Sequence, residues 1–120
     1  MYEDFHATDP LTGQDYHGMF QCLIVGIATR HSDTVDVKFL VNGQDVWLGL
    51  PHPAWGEFKR AAGTTLSDRM AVDLAGLYLK RAIESGLGAD GNHWNDITVA
   101  EIMELASNLN WVPAARSASA

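Results

Sequence analysis

The sequence predicts an α+β fold, in which a three-stranded antiparallel β-meander is followed by three helices packed on the sheet. Three observations predict it. Residues 19–50 carry short apolar and alternating segments separated by turn residues, a pattern typical of strands. After Pro53 the apolar residues recur at helical spacing, and Thr98 with Glu101 forms a capping box. Because the strands precede the helices, we expect an α+β class rather than alternating βαβ units.

Composition and charge narrow the class of protein. The chain has 120 residues, 47% of them hydrophobic and 19% charged, which is the composition of one ordinary globular domain. A formal net charge of -7 leaves no cationic cluster for a nucleic-acid backbone, so we predict no nucleic-acid partner. A single cysteine excludes an internal disulfide. The sequence shows neither an apolar stretch of membrane-helix length nor a secretory signal, so we expect no membrane association and a cytoplasmic location.

We divide the chain into three parts: an N-terminal arm at residues 1–18, one α+β domain at 19–112 and a tail at 113–120 that we predict to be disordered. The arm is acidic, has no Lys or Arg, and contains a turn sequence at residues 9–13. We therefore expect the arm to be a poor strand. The tail consists of small and polar residues that typically fray at a chain end.

The first predicted strand, residues 19–29, is apolar on both of its alternating sets of side chains. A strand of this kind is typically buried on both faces. Cys22 lies in the middle of this segment. We therefore predict that its thiol is a small buried hydrophobic group rather than a nucleophile.

The second and third strands form the best-defined hairpin in the sequence. Residues 34–41 alternate between apolar and polar side chains, and Asn42-Gly43 is typical of a two-residue type I′ turn. That turn sets Phe39 opposite Val46 on the apolar face. On the other face it sets Lys38 opposite Trp47, where an ammonium group can lie over the indole ring.

The helical patterns have recognisable ends. The first helix is predicted at Ala54–Ala62 with Gly63 as its stop, and the second begins at a Thr65 cap and runs to about Ser85. The third begins at Thr98. The second helix has one narrow polar stripe, which consists of Arg69, Asp73, Lys80 and Glu84. A helix with so little polar surface is expected to pack across a sheet or against a partner.

Residues 90–101 have the length of a calcium-binding loop, with Asp90 in the first position and Glu101 in the twelfth. However, Trp94 stands where an oxygen ligand is required, and Asn95 replaces the turn glycine. We therefore predict a turn that leads into the last helix, and no calcium site.

Other catalytic and metal-binding patterns are weak. The five histidines are scattered singly along the sequence: His6, His17, His31, His52 and His93. None has the spacing of a helical metal motif, so we predict no metal site. Residues 31–33 spell His-Ser-Asp, but adjacent residues in a turn cannot converge as a catalytic triad does. Residues 86–91 have dinucleotide-loop glycine spacing but follow a helix rather than a strand. We predict no catalytic residues and no cofactor.

The candidate ligand or interface residues are aromatic or imidazole side chains: Trp47, His52, Trp55, His93 and Trp94. The leading hypothesis is a non-enzymatic module that binds another protein or associates with itself, because apolar surface is abundant and catalytic patterns are lacking. An alternative is a small-molecule binder or unrecognised enzyme with a cleft near His52, His93 and Trp94. A further alternative is an acidic inhibitor, of a phage or immunity type, that occupies a basic site on its target.

We also predict a homodimer. In a simple meander the apolar strand at residues 19–29 lies at the edge of the sheet, and apolar edges are normally covered or blunted by charge. The acidic arm is not expected to cover it, and the narrow polar stripe of the second helix also requires a partner. A second copy would supply that cover, since two-fold dimers are the commonest assembly.

Overall fold

The computed structural model describes residues 2–26, 34–85 and 94–112. Within these ranges the elements are β1 (Asp4–Thr8), β2 (Asp15–Gly26), β3 (Thr34–Val41), β4 (Gln44–Pro51), α1 (Pro53–Ala62), α2 (Asp68–Glu84), β5 (Trp94–Asp96) and α3 (Val99–Asn108). The strands form one sheet in sequence order, with β1 to β4 antiparallel and β5 parallel to β4. The predicted α+β class and the three helices are confirmed. The predicted count of three strands is wrong, because the sheet gains one strand at each edge.

The β3–β4 hairpin has the predicted turn and register. Asn42 and Gly43 both have positive φ, at 49° and 84°, as a type I′ turn requires. Phe39 pairs with Val46, and Lys38 pairs with Trp47. The Lys38 ammonium nitrogen lies 5.9 Å from the centroid of the Trp47 ring, so the predicted cation–π contact is present.

The expectation that the N-terminal arm is a poor strand is wrong, because residues 4–8 form β1. Phe5 and Ala7 are buried and alternate with exposed polar residues, which is sufficient for a strand that packs one face on a core. The turn to β2 is held by the Asp9 carboxylate, which accepts a hydrogen bond of 2.8 Å from the Leu11 N–H. Gly13 closes the turn with a φ of 75°, a conformation that favours glycine.

Strand β2 contains a bulge that overturns its predicted burial. The register with β3 shifts between Phe20 and Cys22, so that Phe20 and Leu23 share the buried face while Cys22 lies on the opposite, outer face. Cys22 is half-buried rather than a core residue. Met19 and Ile24 are each 41% exposed. The bulge therefore divides a strand that is apolar on both alternations between the core and the surface.

The helix ends follow the sequence signals with one exception. Gly63 ends α1 with a φ of 78°, as predicted. Helix α2 begins later than expected, because its cap is the Ser67 hydroxyl, which accepts a hydrogen bond from the Met70 N–H, and not Thr65. At α3 the predicted capping box is present: the Thr98 hydroxyl accepts from the Glu101 N–H, and the Glu101 carboxylate accepts from the Thr98 N–H.

Tyr2, which precedes β1, packs against α2, in which residues 71–77 are all buried. Asp73 is among them, and its carboxylate accepts a hydrogen bond of 2.9 Å from the Tyr2 N–H. A Cβ on Gly76 would lie 2.2 Å from the Tyr2 carbonyl oxygen, so the chain passes directly over this glycine. The narrow polar stripe of α2 is thus explained by contacts within the chain. It does not require a partner, and this part of the dimer argument is wrong.

The core lies between the helices and the inner face of the sheet. Its inner-face strand residues are Phe5, Ala7, Val37, Phe39, Val41, Val46, Leu48 and Leu50. Residues 94–96, which we predicted to be part of a turn, form β5 instead and pair with β4 beside Trp47. None of the helices in the described ranges has the length and hydropathy needed to cross a bilayer.

Candidate functional site

The structure places the predicted site residues around β4 and α1. Trp47 lies on the outer face of β4 and is half-buried. Trp55 is in α1, where it packs against the core and is also half-buried. His52 is exposed at the start of α1, and its ring lies edge-on to Trp55 with a centroid distance of 6.0 Å.

The cleft that the sequence predicts near His52, His93 and Trp94 stays a prediction. His93 lies outside the described residues. The backbone of Trp94 pairs with Trp47, whereas His52 follows five residues further along the same direction of β4. Four residue steps of about 3.3 Å separate the level of Trp94 from Pro51, the last residue of β4, so α1 begins about 13 Å along the sheet from that level. The arrangement brings together His52 with Trp55, and Trp47 with the backbone of Trp94, as separate pairs.

A different site lies at the outer edge of β2. Strand β1 pairs with β2 only as far as Met19, and the Phe20 N–H makes the last bond, to the Glu3 carbonyl at 2.7 Å. Beyond that point no strand in the described ranges pairs with the outer side of residues 21–26, which we call the β2 edge. These six residues include no charge and no proline. Unpaired edges of this kind are accessible to another strand.

A cavity of about 410 Å³, the edge cavity, opens beside the β2 edge, between β2 and the first turns of α2. Its apolar lining consists of Phe20, Leu23 and Val72, and its polar lining consists of Glu3, Asp68, Arg69 and Asp73. A lining that combines apolar and charged side chains is typical of a docking pocket. The cavity and the β2 edge therefore form one continuous candidate site.

Electrostatic contacts fix the wall of the edge cavity nearest to β1. The Arg69 guanidinium lies 3.3 Å from the Glu3 carboxylate. Hydrogen bonds to the Glu3 carboxylate and, to a smaller extent, the charge of Arg69 hold the pKa of Glu3 below its ordinary value of 4.5. Glu3 is therefore ionised at neutral pH and stays engaged with α2. The described lining of this cavity combines three carboxylates and one guanidinium with apolar side chains.

Sequence reasoning located the apolar strand and its position at an edge but missed the edge cavity beside it. The interruption of that strand by Gln21 was the available signal, because a polar residue between two apolar runs is where a bulge can be placed. Neither a scan of protein-family models nor searches of curated proteins and solved structures found a match to this chain. The functional argument therefore depends on the geometry of the chain itself.

Proposed function

We propose that the protein is a self-associating module in which two copies pair through their β2 edges. The observation that carries this proposal is the unpaired, uncharged edge at residues 21–26, which lies beside the apolar edge cavity. Backbone N–H and C=O groups along such an edge can accept a second strand, while adjacent pockets accept side chains. The proposal includes a cytoplasmic location and a non-enzymatic role.

A two-fold axis through the β2 edge would pair the two strands antiparallel. Strand β1 ends opposite Met19, so it leaves the outer side of residues 21–26 clear for the second copy. The two edge cavities would then face each other across the axis, and Phe20, Leu23 and Val72 of both copies would share one apolar interface. The same patch thus meets itself, which closes the assembly at two chains.

Charge affects the strength of this association in a testable way. Each chain carries a formal net charge of -7, so two copies repel each other at long range. The β2 edge itself is uncharged, and salt would screen the repulsion without weakening the contact. We therefore expect the dimer to become tighter as the ionic strength rises.

Light scattering at micromolar concentration tests the proposal. We expect a mass of twice the 13.1 kDa of one chain. Ile24→Lys places a charge on the β2 edge at a position that is 41% exposed, so it should reduce the mass to that of one chain without unfolding the protein. Ile24→Glu should do the same. A mixture of the Lys and Glu variants should recover the dimer, since opposite charges then meet across the axis.

The matched control is Leu11→Lys, which adds the same charge to an exposed apolar residue in the β1–β2 turn, where 79% of Leu11 is accessible. This variant should keep the mass of the parent protein. A parent protein with the mass of one chain, or equal effects of the Ile24 and Leu11 substitutions, would contradict the proposal. The small-molecule and acidic-inhibitor hypotheses stay predictions.

A further inference from the structure

Two histidines that are eleven residues apart in sequence lie side by side on the β1–β2 hairpin. His6 pairs directly with His17 across the two strands, and their rings stack with a centroid distance of 4.3 Å and an interplanar angle of 4°. The carboxylate of Asp4, two residues before His6 on the same face of β1, lies 2.7 Å from Nε2 of His17. One ligand atom from each of these three side chains lies within 4.8 Å of the others.

The backbone holds this cluster in place from both sides. On one side, the turn between β1 and β2 is closed by a hydrogen bond of 2.9 Å from the Asp9 N–H to the Gln14 carbonyl. On the other, the His17 N–H donates to the Asn42 side chain at 2.9 Å, and the Asn42 N–H donates to the His17 carbonyl at 3.1 Å. The Cα positions of the cluster are therefore set by the sheet, and only side-chain torsions remain to be adjusted.

We propose that Asp4, His6 and His17 bind a zinc ion. Two imidazole nitrogens and one carboxylate oxygen are a donor set typical of zinc, which takes three protein ligands and a solvent molecule in its open sites. Calcium and magnesium prefer all-oxygen sites, so two imidazoles disfavour both. The donor set, rather than the presence of acidic groups, selects the metal.

Modest side-chain movement completes the site. Stacked rings direct their lone pairs along parallel lines, so one imidazole must rotate for both nitrogens to face the same ion. Both strands expose this cluster: the side chains of His17 and Asp4 are 40% and 61% accessible, which leaves room for that rotation. Zinc–ligand distances of about 2.0–2.2 Å then bring the ligand atoms closer together than they are now.

A further carboxylate lies on one side of the site. His6 also lines a cavity of about 370 Å³ together with Asp15 and Glu84. Glu84 is paired with Lys80, whereas the Asp15 carboxylate accepts a hydrogen bond only from the neutral Thr8 hydroxyl among the contacts described, so the charge of Asp15 raises the local concentration of a divalent cation. The open space beside His6 gives solvent access to the fourth coordination position. A bound ion would tie β1 to β2 through side chains as well as through the backbone.

Isothermal titration of the tag-free 120-residue chain with zinc chloride tests the proposal. We expect one equivalent to bind at micromolar concentration, and the thermal midpoint to rise with zinc by mass action. His6→Ala and His17→Ala should each weaken binding roughly tenfold or more, because each removes a ligand. Substitution with Co²⁺ should give the visible bands of a four-coordinate site.

His52→Ala is the matched control, because His52 is exposed at the start of α1 and its side chain makes no capping hydrogen bond. This variant should bind zinc as the parent does. Circular dichroism without zinc should show that all three variants are folded. The site is disproved if the parent does not bind zinc at micromolar concentration, or if the His6 and His17 variants bind like the parent. It is also disproved if His52→Ala weakens binding as much as they do.

Discussion

The two hairpins of the sheet are built differently. The β3–β4 hairpin has a two-residue turn and eight paired positions, and its inner-face residues Val37, Phe39, Val46 and Leu48 are all at most 1% exposed. The β1–β2 hairpin has a longer turn and five paired positions, and only two residues of β1 are buried. The β3–β4 hairpin forms the centre of the sheet, whereas the β1–β2 hairpin extends the sheet at an edge.

This difference indicates how each hairpin should open. The β3–β4 hairpin is covered by strands on both sides and by the helices, so its hydrogen bonds are broken only when the whole domain unfolds. Among the described strands, β1 has a neighbour on one side only, and its start is held by the contacts of Tyr2 with Asp73 and of Glu3 with Arg69. We therefore expect β1 to detach locally while the rest of the domain stays folded.

The largest expected effect compares a phenylalanine from each region. Phe39→Ala should reduce the free energy of unfolding by about 3–5 kcal/mol, because it leaves a cavity at the centre of the core. Phe5→Ala removes a side chain that packs on Phe39 with a ring-centroid distance of 5.8 Å, but β1 can detach. The loss of unfolding free energy in Phe5→Ala is therefore limited to the free energy that holds β1 in place. Urea denaturation measures both, and equal losses would show that β1 is as integral as β3.

Gly76→Ala should have an intermediate effect that is confined to β1. The new methyl group would overlap the Tyr2 carbonyl oxygen, so residues 2–8 must shift away from α2. Overpacking of this kind costs about 1–3 kcal/mol, partly offset here because alanine favours a helix. Hydrogen exchange should show faster exchange in β1 and unchanged exchange in β3 and β4. Gly56→Ala in α1 is a suitable control, because the added methyl group would meet only the end of the Arg60 side chain, at 4.0 Å.

The smallest expected effect concerns pH. The pKa of Glu3 is lower in the folded protein than its ordinary value of 4.5. At pH values above 4.5 the ionised carboxylate therefore stabilises the attachment of β1. This contribution is lost as the pH falls through the lowered pKa of the folded protein. Amide chemical shifts of β1 should therefore change in acid before those of β3. Glu3→Gln should remove the part of the chemical-shift change that arises from protonation of the Glu3 carboxylate. Identical titrations of the two proteins would contradict the assignment.

The same contrast explains which parts of the fold could be predicted from the sequence. Asn42-Gly43 and the capping box at Thr98 and Glu101 are local signals, since residues a few positions apart determine the structure. Strand β1 depends on contacts distant in sequence, such as the bond between Tyr2 and Asp73, which spans 71 positions. The composition of residues 1–18 by itself predicts an acidic arm and does not indicate this strand. Strand β5 is three residues long and is a strand only because β4 lies beside it.

The edge cavity and the cluster of Asp4, His6 and His17 were missed for a related reason. The residues of the edge cavity come from the arm, β2 and α2, and no spacing rule connects Leu23 with Val72. His6 and His17 meet only because the turn between them sets their register, and a search for helical metal motifs does not test cross-strand pairs. The cation–π pair of Lys38 and Trp47 was predictable because its two-residue turn fixed the register in advance.

The bulge at Gln21 determines which side chains of β2 face the solvent. Because β2 is apolar on both alternations, its sequence fits the core in two frames, and hydrophobicity alone barely distinguishes them. The single extra backbone residue selects the frame in which Leu23 faces inward and Ile24 faces solvent. Deletion of Gln21 would remove the bulge and leave Cys22, Leu23 and Ile24 opposite the same β3 residues, whereas a strand that kept Gln21 in regular alternation would exchange interior and exterior residues along the rest of its length. The chemistry that this face presents to the outside thus depends on the bulge as much as on residue type.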